Sequence, residues 1–236
     1  LPECKKENIL CEPVRRNTAP CIAYAMAKIE KRCEDALVLV MPSDHLIVDK
    51  ENFVSRIFQG FRLARREQVL ICLGIKAAYP NTGYGYIQYN MDVCSQDDCG
   101  IKKVKLFTEK PAYEMACSFV ESGDFLWNAG IFIWSLQAIK AAFVKFLPEI
   151  TDVILKGREL LDTDQEEAFV EEAYSICPSI SIDYGIMEKA DNVYVIPSDF
   201  GWSDIGTWGA LYNVMNKDEN GNSVVGKNVM LYDCTN

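Results

Sequence analysis

No window of this 236-residue chain approaches the roughly twenty consecutive apolar residues of a membrane-spanning helix, although hydrophobic residues make up 49% of it. The opening LPECKKENIL lacks the apolar run of a signal peptide, so neither membrane insertion nor export is expected. Histidine is almost missing, His45 being the single one. The ten cysteines fall singly, at Cys4, Cys11, Cys21, Cys33, Cys72, Cys94, Cys99, Cys117, Cys177 and Cys234, with no CxxC pair. That pattern argues against a zinc site and for reduced thiols in a cytoplasmic protein. Basic residues are in deficit, 24 Lys and Arg against 34 Asp and Glu, for a formal net charge of −10. Nucleic acid and anionic membrane are therefore disfavoured as partners, while a small basic cleft for a phosphate is not. Internal repeats and low-complexity tracts are also lacking.

What is present is organised around ALVLVMPSDHLIVD (36–49). Its apolar run with Val and Leu on both parities predicts a strand buried on both faces, halted by Pro42. Asp44 and His45 then fall just past the carboxyl end of that strand, where open α/β sheets bind ligands. Upstream, 8–11 reads as a short strand, followed by a loop and a helix that Asn17 or Thr18 can cap. Downstream, a helical pattern through Phe53, Ile57, Phe58, Phe61 and Ala64 leads to the apolar run 69–75. This strand–helix–strand unit predicts a largely parallel sheet. YPNTGYGYIQYN and KVKLFTEKP, joined across Asp97, Asp98 and Gly100, read as two extended segments rimming or covering the ligand edge. FLWNAGIFIWS is another buried strand, and a helix over 136–147 stops at Pro148. SIDYGIMEKA precedes the strand VYVIP and the loop SDFGWSDIGTW. The last twenty residues are turn-rich with short strand-like pieces.

Two acidic loops follow strands, one with Asp44 and one with Asp204. Carboxylates from separate strand ends can hold Mg²⁺, which takes one or two protein oxygens and keeps its remaining positions for water and phosphates. Each aspartate can equally be a helix N-cap. Lys110 can set a point charge on a phosphate and Glu109 can accept from hydroxyls, or the two form a surface pair beside the helix-starting Pro111. Asn128 interrupts an apolar segment, so its amide either satisfies backbone or reads a ligand. Gly83 and Gly85 permit close backbone approach or a plain turn.

In order, the chain carries EPVRRNTAP, VLVMPSDH, TGYGYI, FTEKP, FLWNAGIF, SIDYGIMEK and GWSDIGTW. This series closely resembles the mannose-1-phosphate guanylyltransferases, or GDP-mannose pyrophosphorylases. The resemblance implies an α/β nucleotide-diphospho-sugar transferase fold, Rossmann-like, with a mostly parallel mixed sheet flanked by helices. It implies Mg²⁺-dependent transfer between GTP and mannose 1-phosphate, giving GDP-mannose and pyrophosphate in the cytoplasm. It places Glu12, Asn17, Thr18, Ala19 and Pro20 near the guanine, and Asp44 and Asp204 on the metal. Gly85, Glu109 and Asn128 fall around the mannose and Lys110 on its phosphate, so Asp44, Lys110 and Asp204 form the catalytic set. The family's opening loop, GGxGTRLWPLS followed by a lysine, has no counterpart here, so an N-terminally truncated domain, inactive by itself, is expected. On this reading 1–215 is the nucleotidyltransferase domain and 216–236 begins a linker or β-rich module. A homodimer stays open, as do a sister hexose-1-phosphate nucleotidyltransferase and a non-catalytic sugar-nucleotide-binding or regulatory protein.

Overall fold

A computed structural model describes residues 4–95 and 98–235 of the chain. Two strands form its centre: β3 (Leu70–Lys76) and β6 (Phe125–Ser135). Along β3, Leu70 and Cys72 face one layer of the core and Ile71 and Leu73 the other; along β6, Phe132 and Trp134 alternate in the same way with Ile131 and Ile133. That two-residue alternation, apolar on both parities, is what a strand needs when helices cover both faces of its sheet. One face is covered by α2 (Lys50–Arg66), which contributes Ile57, Leu63 and Ala64. The other receives α1 (Thr18–Arg32), α4 (Leu136–Phe146) and α6 (Glu166–Ile176), with α5 (Pro148–Ile150) between the last two. Pro148 thus ends α4 and opens the next helical turn, where its missing N–H costs nothing.

The six-stranded sheet runs β1 (Leu37–Val40), β6, β3, β7 (Val193–Ser198), β5 (Asp98–Glu109), β4 (Gly85–Ser95). β1, β3, β4 and β7 share one direction, as a strand–helix–strand unit predicts, but only β3 and β7 form a parallel ladder. The expectation of a mostly parallel sheet therefore holds for strand direction and not for pairing. The reason is that β6, which arrives much later in the chain, inserts antiparallel between β1 and β3. β1 consequently pairs only with β6 and is half-buried, not buried on both faces. The strand expected at 8–11 does not form; a 3₁₀ turn covers Lys6–Asn8, and Ile9 stays 54% exposed with no strand to pair with among the described residues. The expected extended pair is the hairpin of β4 and β5, but it is part of the main sheet through β6 and β7 and only its base borders the ligand edge. Asp97, expected in the connection between them, lies outside the described residues. α3 (Tyr113–Ser122) packs on the β4 side through Ala116 and Phe119.

A second, two-stranded ladder joins β2 (Leu46–Ile47) to β8 (Trp202–Ser203), with Leu46 opposite Ser203. It ties the loop after β1 to the loop after β7. After α7 (Trp208–Val214) no further helix or strand forms up to residue 235. No helix among the described residues is long and apolar enough to cross a membrane.

Candidate functional site

At the carboxyl end of β1, beside the start of β4 and the end of β5, the sheet opens into a cavity of about 440 Å³, within the range of small-molecule sites. β6 shapes its floor. Between its pairings Phe132 with Cys72 and Asn128 with Gly74, β6 has three residues against one on β3, a bulge that carries Gly130 at φ +66. Bulges next to sites re-aim side chains, and this one sets Gly130 against Pro42 and His45 while Asn128 points into the cavity.

Asn128 is buried and held at both ends. Its Nδ2 donates to Asp183 Oδ1 at 2.8 Å, and its Oδ1 accepts from the Gly130 N–H at 3.0 Å. Beside it lies Glu109, whose side chain is 10% exposed. One carboxylate oxygen pairs with Lys110 Nζ at 3.3 Å; the other, Oε2, is buried without a hydrogen-bond partner. Gly85, opposite Glu109 in the β4–β5 ladder, makes room for it, because a Cβ there would stand 2.3 Å from Oε2. Burial, with the nearby Asp183 charge added, pushes the Glu109 carboxyl above its ordinary range, against the pull of Lys110. Burial likewise raises Asp183, opposed by hydrogen bonds that include the one from Asn128.

The second half of the site is built by β2 and β8. One step past their ladder, His45 comes opposite Asp204, and both Asp44 and Asp204 act electrostatically on the His45 ring. Two carboxylates 160 positions apart in sequence thereby come within electrostatic reach of one ring, and of the two only Asp204 lines the cavity, which Asp44 and Lys110 border from outside its lining. Asp204 is half-buried and accepts from the Tyr84 hydroxyl at 2.8 Å, whereas Asp44 is exposed. His45 accepts from Trp202 Nε1 at Nδ1 over 3.1 Å, which leaves its proton on Nε2. Its burial lowers the imidazole pKa despite the two aspartates, so the ring is neutral near pH 7.

The other residues singled out from sequence divide. Thr18 lines the cavity and its Oγ1 accepts from the Ile182 N–H at 2.8 Å. Asn17 caps α1, accepting from the Thr18 N–H, and Ala19 and Pro20 are buried in the first turn. Glu12 is not brought to the cavity; it borders a separate acidic recess with Thr163, Glu166 and Glu171. Sequence reasoning gave no role to Tyr84, Asp183 and Trp202, which also line the cavity, although each sits inside one of the motifs of the family resemblance.

Backbone strain marks the same place. Among the described residues, five other than glycine have positive φ, and three adjoin the site: Asn17, Lys110 and Ile205. For a β-branched residue such as Ile205, at φ 47, this region is a steric outlier. Strain of this kind persists where the surroundings enforce it, and here it turns the chain immediately after Asp204. Ile205→Gly is expected to raise stability by about 1 kcal/mol, a melting temperature roughly 2–4 °C higher, while loosening Asp204 and lowering turnover. A thermal melt in which the variant unfolds earlier than the parent would show that packing of the Ile205 side chain outweighs the strain.

The pattern of the Nucleotidyl transferase family matches residues 3–221. A mannose-1-phosphate guanylyltransferase of Salmonella montevideo is 38% identical over 231 residues, which cover 96% of this chain and 48% of that protein. The alginate biosynthesis protein AlgA of Pseudomonas putida is 35% identical over 231 residues, 98% of this chain and 47% of that protein. Among solved structures, one described as a mannose-1-phosphate geranyltransferase from Thermus thermophilus superposes with a TM-score of 0.76 at 31% identity, covering 89% of this chain and 58% of that one. The chain spans about half the length of the curated relatives it matches. Its sequence and its fold agree: this chain belongs to the nucleotidyl transferase family.

Proposed function

We propose that the chain is the nucleotidyltransferase part, residues 1–215, of a cytoplasmic mannose-1-phosphate guanylyltransferase, with 216–236 leading into a further module. The reaction joins GTP and mannose 1-phosphate into GDP-mannose and pyrophosphate. The observation that carries this reading is one cavity lined by a hydroxyl-reading pair, Glu109 and Asn128, and by the carboxylate of Asp204, with Lys110 paired to Glu109 and Asp44 acting on the same His45 ring as Asp204. The names of the relatives point the same way.

The charge balance supports a metal. A phosphate entering this cavity meets Glu109, Asp183 and Asp204, and Lys110 is already paired with Glu109. No group of three or more His, Cys, Asp or Glu side chains suited to a metal occurs among the described residues. Two carboxylates, with phosphates completing the shell, are the donor set Mg²⁺ accepts. Bound by Asp44 and Asp204, Mg²⁺ would neutralise phosphate charge as it develops on the nucleotide. Lys110 holds the phosphate of the sugar, and Glu109 and Asn128 fix the ring so that a phosphate oxygen is aimed at the α-phosphorus. Attack in line expels pyrophosphate with no covalent bond to the protein. Catalysis then rests on positioning and charge neutralisation. Thr18 lies on the nucleotide side, with Asn17, Ala19 and Pro20 shaping the start of α1 on the side of the base.

The test is pyrophosphate release by the natural full-length protein. Release is expected with GTP and mannose 1-phosphate and should stop when EDTA removes divalent metal. Equal rates with UTP or with glucose 1-phosphate would favour a sister enzyme, and binding of GDP-mannose without any release would make the protein a sensor.

A further inference from the structure

The hydroxyl-reading half of the site contains a carboxylate that motif reading left without a role. Asp183 is half-buried at the start of the π-helical turn Asp183–Met187 and lines the cavity. Its Oδ1 accepts from Asn128 Nδ2, and the other end of that amide is fixed by the Gly130 N–H. An amide anchored at both ends cannot flip: turning it would set its NH₂ against the Gly130 N–H and its oxygen against the Asp183 carboxylate. Asn128 must therefore offer the cavity its second amide hydrogen, a donor. Beside it, the unpartnered Oε2 of Glu109 offers an acceptor. Asn128 and Glu109 stand against opposite sides of one Cβ-free residue, for a side-chain carbon built on Gly85 would meet both.

Asp183 is itself held in place. The segment leading into it is stitched to the first turn of α1 and to Arg16 just before it by three hydrogen bonds: Ala19 N–H to Ile180 O at 3.1 Å, Ile180 N–H to Arg16 O at 3.3 Å and Ile182 N–H to Thr18 Oγ1 at 2.8 Å. Its other neighbours with charge are Lys110 and Glu188, the latter bound to the Glu109 N–H at 2.8 Å.

We infer that Asp183 is a positioning residue for specificity: it locks the Asn128 amide so that Asn128 and Glu109 together form a donor–acceptor pair for adjacent hydroxyls of the sugar. The inference rests on the proposed function, in that the ligand is a hexose phosphate. A hydroxyl that accepts from Asn128 while its neighbour donates to Glu109 satisfies both groups, and an analogue lacking either leaves a buried polar group unpaired. Sites of that kind reject the deficient analogue strongly.

The experiment compares Asp183→Leu, which keeps the branched shape and removes the acceptor, with Asp183→Asn, which keeps an acceptor and removes the charge. For each, kcat/KM is measured with mannose 1-phosphate and with its 2-deoxy and 3-deoxy analogues, alongside KM for GTP and the melting temperature. Asp183→Leu is expected to lose at least tenfold in discrimination between the sugar phosphate and its deoxy analogues, with KM for GTP within about twofold of the parent. Asp183→Asn should lose less than Asp183→Leu. Equal discrimination in parent and both variants would overturn the inference, as would parallel losses for sugar and GTP, which mark a merely structural residue. If Asp183→Leu does not fold, the Asn variant decides: discrimination as poor as that of Asn128→Ala would show that charge, not an acceptor, is what Asp183 supplies. A parent protein that turns over no hexose phosphate at all would instead refute the proposed function.

Discussion

Asp204→Asn is expected to cut turnover of the full-length protein at least about a thousandfold, roughly 4 kcal/mol of transition-state stabilisation, while leaving the fold intact. The fold survives because the Asp204 side chain accepts its hydrogen bond from the Tyr84 hydroxyl, and an amide oxygen accepts that bond as well. What disappears is a full negative charge at the point where β2 and β8 bring two loops together. A hard cation holds to an anionic oxygen far better than to an amide, so the metal concentration needed for half-maximal rate should rise together with the loss of kcat. Asp44→Asn should act in the same direction, and with less risk to the fold, since Asp44 is exposed. Tyr84→Phe provides a graded control: it removes one hydrogen bond to the carboxylate but no charge, and a loss of about tenfold is expected. Steady-state kinetics across a Mg²⁺ titration distinguish these cases. Should Asp204→Asn keep more than a tenth of parental activity with the same metal requirement, the carboxylate serves the loop and not the reaction.

The two aspartates show what could be read from the sequence and what could not. Each follows a strand-like run, so its place at the carboxyl edge of a sheet was legible from local pattern alone. Their meeting depends on a two-residue ladder, Leu46 with Ser203 and Ile47 with Trp202, that no periodicity reveals. The same limit applies to β1. Its apolar run suggests full burial, but burial follows from neighbours, and the later β6 gives it a partner on one side only. Gly85 reads as a place of close approach; that the approaching group is the Glu109 carboxylate required the β4–β5 register. Asp183 was hidden for a different reason. SIDYG carries no local sign of a partner for its carboxylate, and the amide it holds lies 55 positions away. Ile205 has the opposite problem, because a β-branched side chain gives no local sign of the left-handed backbone it adopts.

The largest stability effect is expected far from the cavity, at Lys28. Its side chain, 9% exposed on α1, contacts Asp162 and donates to both oxygens of Glu166, at 2.9 and 2.7 Å. Glu166 opens α6 and also accepts from the Tyr24 hydroxyl at 2.6 Å and the Asp162 N–H at 2.6 Å, so one carboxylate gathers donors from α1 and from the turn before α6. Burial alone would lower the Lys28 pKa, but the hydrogen bonds and charges of Asp162 and Glu166 outweigh it and raise the ammonium. Burial would raise Glu166, and the bonds from Lys28 and Tyr24 outweigh that and lower it. Replacing one partner of such a network leaves the other charge buried and uncompensated, a loss of about 3 kcal/mol. Lys28→Met, which preserves the packed stem, should therefore lower the melting temperature by roughly 6–12 °C. Adding Glu166→Gln should recover part of that loss, because the orphaned charge is removed with its partner. The pH window follows from the two shifts. The lowered Glu166 contributes stability above its unfolded pKa near ~4.3 and loses it as pH falls through the folded value. The raised Lys28 contributes below its unfolded pKa near ~10.4 and loses it as pH rises through the folded value. The difference in stability between parent and Lys28→Met should thus be largest between about pH 5 and 9 and shrink on the acid side first. Denaturant melts at about pH 3.5 and pH 7, either side of the unfolded carboxylate value, suffice to check this, and a gap that stays the same at both would mean that Lys28 contributes through its packed stem and not through its charge.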